Sequence, residues 1–390
     1  MPRTSRCRLI LVVGILALCV NTGCRVVSLP LWGKRADGKA EAPATMRVDD
    51  GSQWLVSPEL LRSAKLKIVW QNKLPIRKAE SLDQLFIISN RIYALSDQNY
   101  MVCLDRVKGN ALFSKPIAPV GFPMIGLELY RDELISIIGN KLVEIDPNTG
   151  IENKAKDIKF GIVCPAARNG SYFYVSGADR RLHVLHAENY VQVFEIAADN
   201  DSIITSIIAD ESFVVFGTDA GNVVSMLPDR PKWLWQFDAA DAIAGPIVRD
   251  GMSLFFASKD LNVYRIDMVD QTWAKLIWKH QMPGLLEKAP HVTATAVYQY
   301  ARNGGLTAID KQSGQFMWSL QQGVDLLAEA GRYAYVITNV STLEVMDNTS
   351  GKKLYSVNFA GVSRFAANTT DSKIYIADKG GRIACLEPAE

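Results

Sequence analysis

The chain reads as an all-β, eight-bladed propeller of four-stranded antiparallel blades, closed by an N-terminal strand that completes the last blade. Three observations in its 390 residues carry that reading. A frame of apolar strand, strand ending in an aliphatic residue and an acid, tight turn and aromatic recurs along the chain. It is plainest from Gly305 through Ile309, Asp310 and Gly314 to Trp318. Taking positions 105, 146, 186, 227, 267, 310, 347 and 387 as the frame gives intervals of 37 to 43 residues, the period of a radial β-repeat; a helical solenoid would show 3.6-residue patterning instead. The last copy stops at Glu387, where its fourth strand is due, while an orphan strand with a closing aromatic, Trp70, stands at 66–74. Pairing the two ends satisfies edges that an open array would expose.

From the N-terminus, residues 1–23 read as a secretion signal. Arg3, Arg6 and Arg8 precede an apolar run at 9–20, and Asn21, Thr22 and Gly23 lead to Cys24. The run falls short of the roughly 20 residues of a spanning helix. Small residues before a cysteine resemble the bacterial lipobox, which makes Cys24 the candidate lipidated N-terminus of the mature chain. Asn21 stands where an aliphatic residue is usual, so plain secretion and an uncleaved anchor are the alternatives. Arg25 replaces the Asp that resembles an inner-membrane retention signal, which points to the outer membrane, facing the periplasm. Residues 24–63, with Pro30, Gly33, Gly38 and Pro43, read as a tether ending in a short helix near 58–65. The propeller is expected over 64–390.

Within the repeats, short β-branched or aromatic segments bounded by Gly, Asn or Asp read as strands, among them 85–89, 173–176, 213–216, 254–257, 333–337 and 374–377. Asp105, Asp146, Asp267, Asp310 and Asp347 open the turns, where a carboxylate accepts from amides two or three residues on and a following Gly supplies positive φ. Their recurrence at turn positions makes them structural. The aromatics that usually follow eight residues later, with Trp70, Trp235, Trp278 and Trp318 as the tryptophans, are expected to wedge between blades. Three departures stand out: Lys154 in place of an aromatic, a lengthened Asp267 to Trp278 interval, and Pro228-Asp229-Arg230-Pro231 in place of a Gly turn.

Charge is balanced, 43 basic against 41 acidic residues; without the three signal arginines it is 40 against 41, and no nucleic-acid footprint appears. Of six cysteines, Cys24, Cys103, Cys164 and Cys385 follow the signal, too few for a disulfide framework. Cys103 and Cys385 share one repeat position in the first and eighth blades, so a bridge across the closure is conceivable; two buried small hydrophobes are the favoured reading. His183, His186, His280 and His291 lack metal-binding context, and the odd spacing of the first two sends them to opposite strand faces. No nucleophile elbow, phosphate loop or dinucleotide fingerprint occurs, so neither a catalytic residue nor a metal ligand is assigned.

The frame of strand, aliphatic-Asp, turn, Gly and Trp resembles the PQQ-like repeat of the quinoprotein propellers over roughly 66–387. That resemblance could imply a quinone-dependent dehydrogenase, but the vicinal cysteines typical of those enzymes and any haem motif are missing here, and no cofactor is expected. In overall layout the chain more closely resembles the propeller lipoproteins of the outer-membrane β-barrel assembly machinery. That implies a non-catalytic scaffold, anchored through its N-terminal lipid, acting as a monomeric subunit with envelope or outer-membrane assembly proteins. The alternative is a propeller that binds another envelope protein or a small ligand. Divergent loops carry function more often than the frame does. The candidates are 228–233 and 268–277, at equivalent turns of blades 4 and 5, with Arg230, Trp233, Gln271 and Trp273 as a candidate partner-binding patch; drift in a tolerant loop is the competing explanation.

Overall fold

The structure, a computed structural model, describes residues 54–389; residues 1–23, read above as a secretion signal, and Cys24 lie outside the described residues. Eight four-stranded antiparallel sheets follow one another along the chain. Blades 1 to 7 occupy 82–116, 124–157, 167–197, 204–238, 248–281, 291–320 and 323–358; blade 8 takes its first three strands from 364–388 and its fourth from Leu66–Lys73. The closing strand pairs along its length with the C-terminal strand, from Leu66 opposite Pro388 to Lys73 opposite Arg382. First strands of neighbouring blades meet around the axis, and a separate buried apolar core fills each of the eight seams.

The Asp turns form as their chemistry requires. Asp105 accepts from the amides of Val107 and Lys108 at 2.9 and 2.8 Å, Asp146 from Asn148 and Thr149, and Asp310 from Gln312 and Ser313. Each turn then brings its Gly against the aromatic of the preceding blade. A Cβ on Gly109 would lie 2.4 Å from the Trp70 ring and one on Gly314 2.5 Å from Trp278, and both residues have φ above +70°. Only glycine satisfies both demands. The tryptophans also bond to the turn they cover: Trp70 Nε1 donates to Arg106 O at 3.2 Å, Trp278 Nε1 to Lys311 O at 3.0 Å and Trp318 Nε1 to Asn348 Oδ1 at 2.8 Å.

A β-bulge immediately before each of these aromatic positions aims the side chain. The third and fourth strands of all eight blades slip by one residue there, skipping Leu112, Asn153, Val193, Leu234, Ile277, Met317, Leu354 and Val69 in turn. Because side chains alternate with period two, one extra residue moves the aromatic to the seam and leaves an apolar residue such as Leu112, Val193, Ile277 or Leu354 exposed on the outer rim.

Lys154 has a partner departure in the next blade. The blade 3 turn runs from His186 to Tyr190, and Tyr190 sits at φ 57° where the other turns carry Gly. Its ring stacks on Phe173 with centroids 5.7 Å apart, and its hydroxyl donates to the buried Glu144 carboxylate, which also pairs with Arg168. At this seam the wedge comes from the turn instead of from the preceding blade.

Three expectations need correction. Asp267 holds no turn: the strand Asn262–Asp270 runs through it into Trp273–Gln281, and its carboxylate binds Arg265 Nε at 2.9 Å. The segment 268–277 is accordingly an extended hairpin with a tip at Gln271 and Thr272, not a loop. Cys103 and Cys385 follow the favoured reading: both are free and fully buried, in the seams between blades 1 and 2 and between blades 8 and 1. Burial raises their thiols to about 11 and about 12 respectively. The helix α1, Pro58–Ser63, is capped by Ser57, whose hydroxyl accepts from the Leu60 amide. Residues from Leu55 onward, read as tether, pack on the ring: Leu55, Val56 and Leu61 join the core between blades 7 and 8, and the Leu55 amide donates to Gln71 Oε1 at 3.0 Å.

Candidate functional site

The third-to-fourth-strand turns and the first-to-second-strand turns lie at the same end of the antiparallel blades, so 228–232, 271–272, 210–213 and 250–253 share one face. Cross-blade bonds tie it together: Tyr174 Oη donates to Pro228 O at 3.0 Å, Asn169 Nδ2 to Asp210 O at 3.0 Å and Arg249 Nη1 to Asp210 Oδ2 at 2.7 Å.

The four candidate contact residues do not form one patch. Arg230 is exposed and holds the adjacent Asp229 carboxylate at 2.9 Å. Trp273 is 53 % exposed on the rising arm of the blade 5 hairpin, with Gln271 at its tip. Trp233 is half-buried and faces the other way. The bulge at Leu234 turns Trp233 into the core between blades 3 and 4 and Trp235 into the core between blades 4 and 5. Period-two reading of the strand would put both on one face, so only the bulge reveals the split.

What Gln271 joins is a cleft of about 400 Å³ between blades 4 and 5, lined by Phe213, Ser225, Trp235, Arg249, Met252 and Met268. The fourth blade's aromatic lies here, as in other seams, but the fifth blade's chain runs on into its long hairpin in place of a Gly turn. Ser225 is fully buried and its hydroxyl has no hydrogen-bond partner; Trp235 Nε1 likewise bonds to no described residue. Sequence reasoning missed Ser225 and Met252. The lengthened interval after Asp267 was the one available signal.

A second cavity, about 220 Å³, opens on the central funnel between Glu128, Pro165, Arg168, Thr205, Ile207 and Pro246. Glu128 reaches solvent there yet is ringed by protein, and the lost hydration raises its carboxyl above the usual range. The histidines stay apart: His183 stacks on Phe160 at 3.8 Å and bonds to Asp179, whereas His186 meets the edge of Tyr172. Among the described residues no group of three or more His, Cys, Asp or Glu is placed to hold a metal ion. The residues present do not fit the vicinal-cysteine quinone site either, since the three described cysteines are separate and each is buried.

Such a ring, with turns gripped by tryptophans, is an eight-bladed β-propeller closed by its N-terminal strand. Comparison with known proteins places it near one of them. Residues 219–362 match the family described as outer membrane protein assembly factor BamB. The curated BamB of Yersinia pestis is 23 % identical over 207 residues, 48 % of this chain and 51 % of that protein, so the chain spans about half the length of the curated relative it matches. The BamB structure from Moraxella catarrhalis superposes with TM-score 0.63 at 15 % identity, over 83 % of this chain and 97 % of that one. The computationally designed Ika8 protein gives 0.62 at 15 %, over 81 % and 98 %. These two likenesses establish the fold. In fold the chain is a β-propeller similar to BamB.

Proposed function

We propose that this chain is a non-catalytic scaffold that assists the assembly of outer-membrane proteins, held by lipid at Cys24 on the periplasmic side of the outer membrane. The observation that carries this reading is the match of residues 219–362 to the BamB family, over the same blades that frame the cleft and the long hairpin. The fold is consistent with it. A ring with an apolar core at each of its eight seams offers a broad loop-bearing face and asks little ordering of itself on binding. Arg230, Gln271 and Trp273, exposed on that face, are the proposed contact residues; Trp233 acts by supporting the strand behind them.

Crosslinking in intact cells, affinity purification through a C-terminal tag and mass spectrometry test the role. Enrichment of outer-membrane assembly proteins supports it. Recovery of unrelated envelope proteins favours the second reading, a propeller serving another envelope partner, which the unfilled cleft also suits. Labelling with palmitate tests the anchor: incorporation lost in Cys24→Ala supports lipidation, and an unlabelled wild type overturns it.

A further inference from the structure

We infer that the cleft between blades 4 and 5 is a docking socket for a glycine-bearing reverse turn of a partner protein, which fills from outside the place that a turn of the chain fills at other seams. The inference deepens the scaffold reading by naming what the candidate face grips. It rests on internal comparison. At three other seams the third-strand residue opposite the bulged position meets the next blade's turn. Cys103 approaches Pro147 O at 4.0 Å, Arg265 Nη1 donates to Lys311 O at 2.9 Å, and Glu144 accepts from Tyr190 Oη. The tryptophans Trp70, Trp278 and Trp318 hold the turn from the fourth strand, and both kinds of contact meet at the seam between blades 5 and 6, where Trp278 and Arg265 bond to the same Lys311 carbonyl: an aromatic wall, a seam-facing polar group, and a turn whose oxygen is held.

At blade 4 the same two positions are Ser225 and Trp235, and neither polar atom bonds to a described residue. A buried hydroxyl without a partner costs stability unless something supplies one. The socket's walls are otherwise complete, with Phe213, Met252 and Met268 beside the indole. Thioether walls suit an apolar turn backbone because they adjust to its shape. The charges at the rim are already spent: Arg249 is held by Asp210 at 2.7 Å, and Asp270 accepts from the Thr272 amide at 2.7 Å. The hydrogen-bond complementarity is therefore with neutral acceptors. Main-chain carbonyls and an Asn or Asp oxygen engaged within its own turn fit, and a free carboxylate does not. A Gly is needed where the turn crosses the indole, as Gly109 and Gly314 are needed elsewhere.

The probe is a fluorescein-labelled, disulfide-closed hairpin peptide carrying this chain's own Asp310–Gly314 turn, titrated by anisotropy against the full mature chain in detergent. Saturable binding is expected, weakened about fivefold by Trp235→Phe, which removes one neutral hydrogen bond. Met252→Trp, which fills the exposed mouth of the cleft, should abolish it, as should Gly314→Val in the peptide; unchanged melting curves establish that the variants fold. No saturable binding, or equal binding by wild type and Met252→Trp, overturns the inference. A photocrosslinker at Met252 in cells separates it from the assembly role. A crosslinked Gly-bearing turn supports the socket whichever protein it comes from, a turn from a protein outside outer-membrane assembly overturns only the role, and a crosslink confined to helices or to no protein overturns the socket.

Discussion

Asp310 illustrates how one carboxylate sets a turn: the hydroxyl and amide of Ser313, then the Gln312 amide, converge on Oδ1 and hold its carboxyl below the usual range. A group whose native value is depressed stabilises the fold above its unfolded value, and that contribution is lost as pH falls through the native one. Asp310→Ala should therefore cost about 1 kcal/mol at pH 7, and urea titrations at a series of pH values should show the gap to wild type closing as the medium becomes acidic. Glu128 has the opposite sign. Desolvation in the funnel raises its carboxyl, so its ionisation opposes folding, increasingly as pH rises from the ordinary carboxylate value through the raised one. Glu128→Gln should raise the melting temperature at pH 7 and leave it unchanged near pH 4, a difference that scanning calorimetry reads directly.

At the scale of the element, the outer-strand bulge decides which face each residue serves. Its consequence is clearest where the pattern breaks. Lys154 cannot wedge the seam between blades 2 and 3, and Tyr190, strained at positive φ, fills it from the other side. The two departures compensate and should be energetically coupled. Tyr190→Gly relaxes the backbone but empties the seam and strands the Glu144 contact, for a net loss of about 3 kcal/mol. Adding Lys154→Trp should restore much of it by re-creating the arrangement of the other seams. A double-mutant cycle by denaturant unfolding measures the coupling, and strictly additive effects would contradict it. The sequence showed Lys154 as an anomaly, whereas its pairing with Tyr190 was invisible because it depends on which side chain points across a seam.

For the whole ring, closure concentrates on the seam between blades 8 and 1. The N-terminal strand completes blade 8, Trp70 covers the first turn, and Arg106 ties Tyr375 Oη at 3.0 Å and Asp371 at 2.9 Å to the Ser89 carbonyl. Deleting 54–73 would leave the strand Arg382–Pro388 as an open edge and uncover Leu386 and the core beneath it, so the truncated protein should lose its monomeric peak in size-exclusion chromatography. The charge-balanced remainder of the chain gives no independent reason for such association.

Periodicity alone determined the number of blades, the tight turns at Asp105, Asp146, Asp310 and Asp347, and closure by a strand far from its neighbours in sequence, because each of those features repeats and a repeat can be read without knowing the contacts. The tertiary structure decided what does not repeat. Asp267 left its turn for an ion pair, Trp233 and Trp235 were sent to opposite seams by one inserted residue, and Cys103 and Cys385 were separated into different cores. Above all, the open socket beside Ser225 exists only because the fifth blade's chain runs past the point where the other turns fold back. A cleft is a relation between side chains of two blades about forty residues apart, and no local pattern in either blade records it.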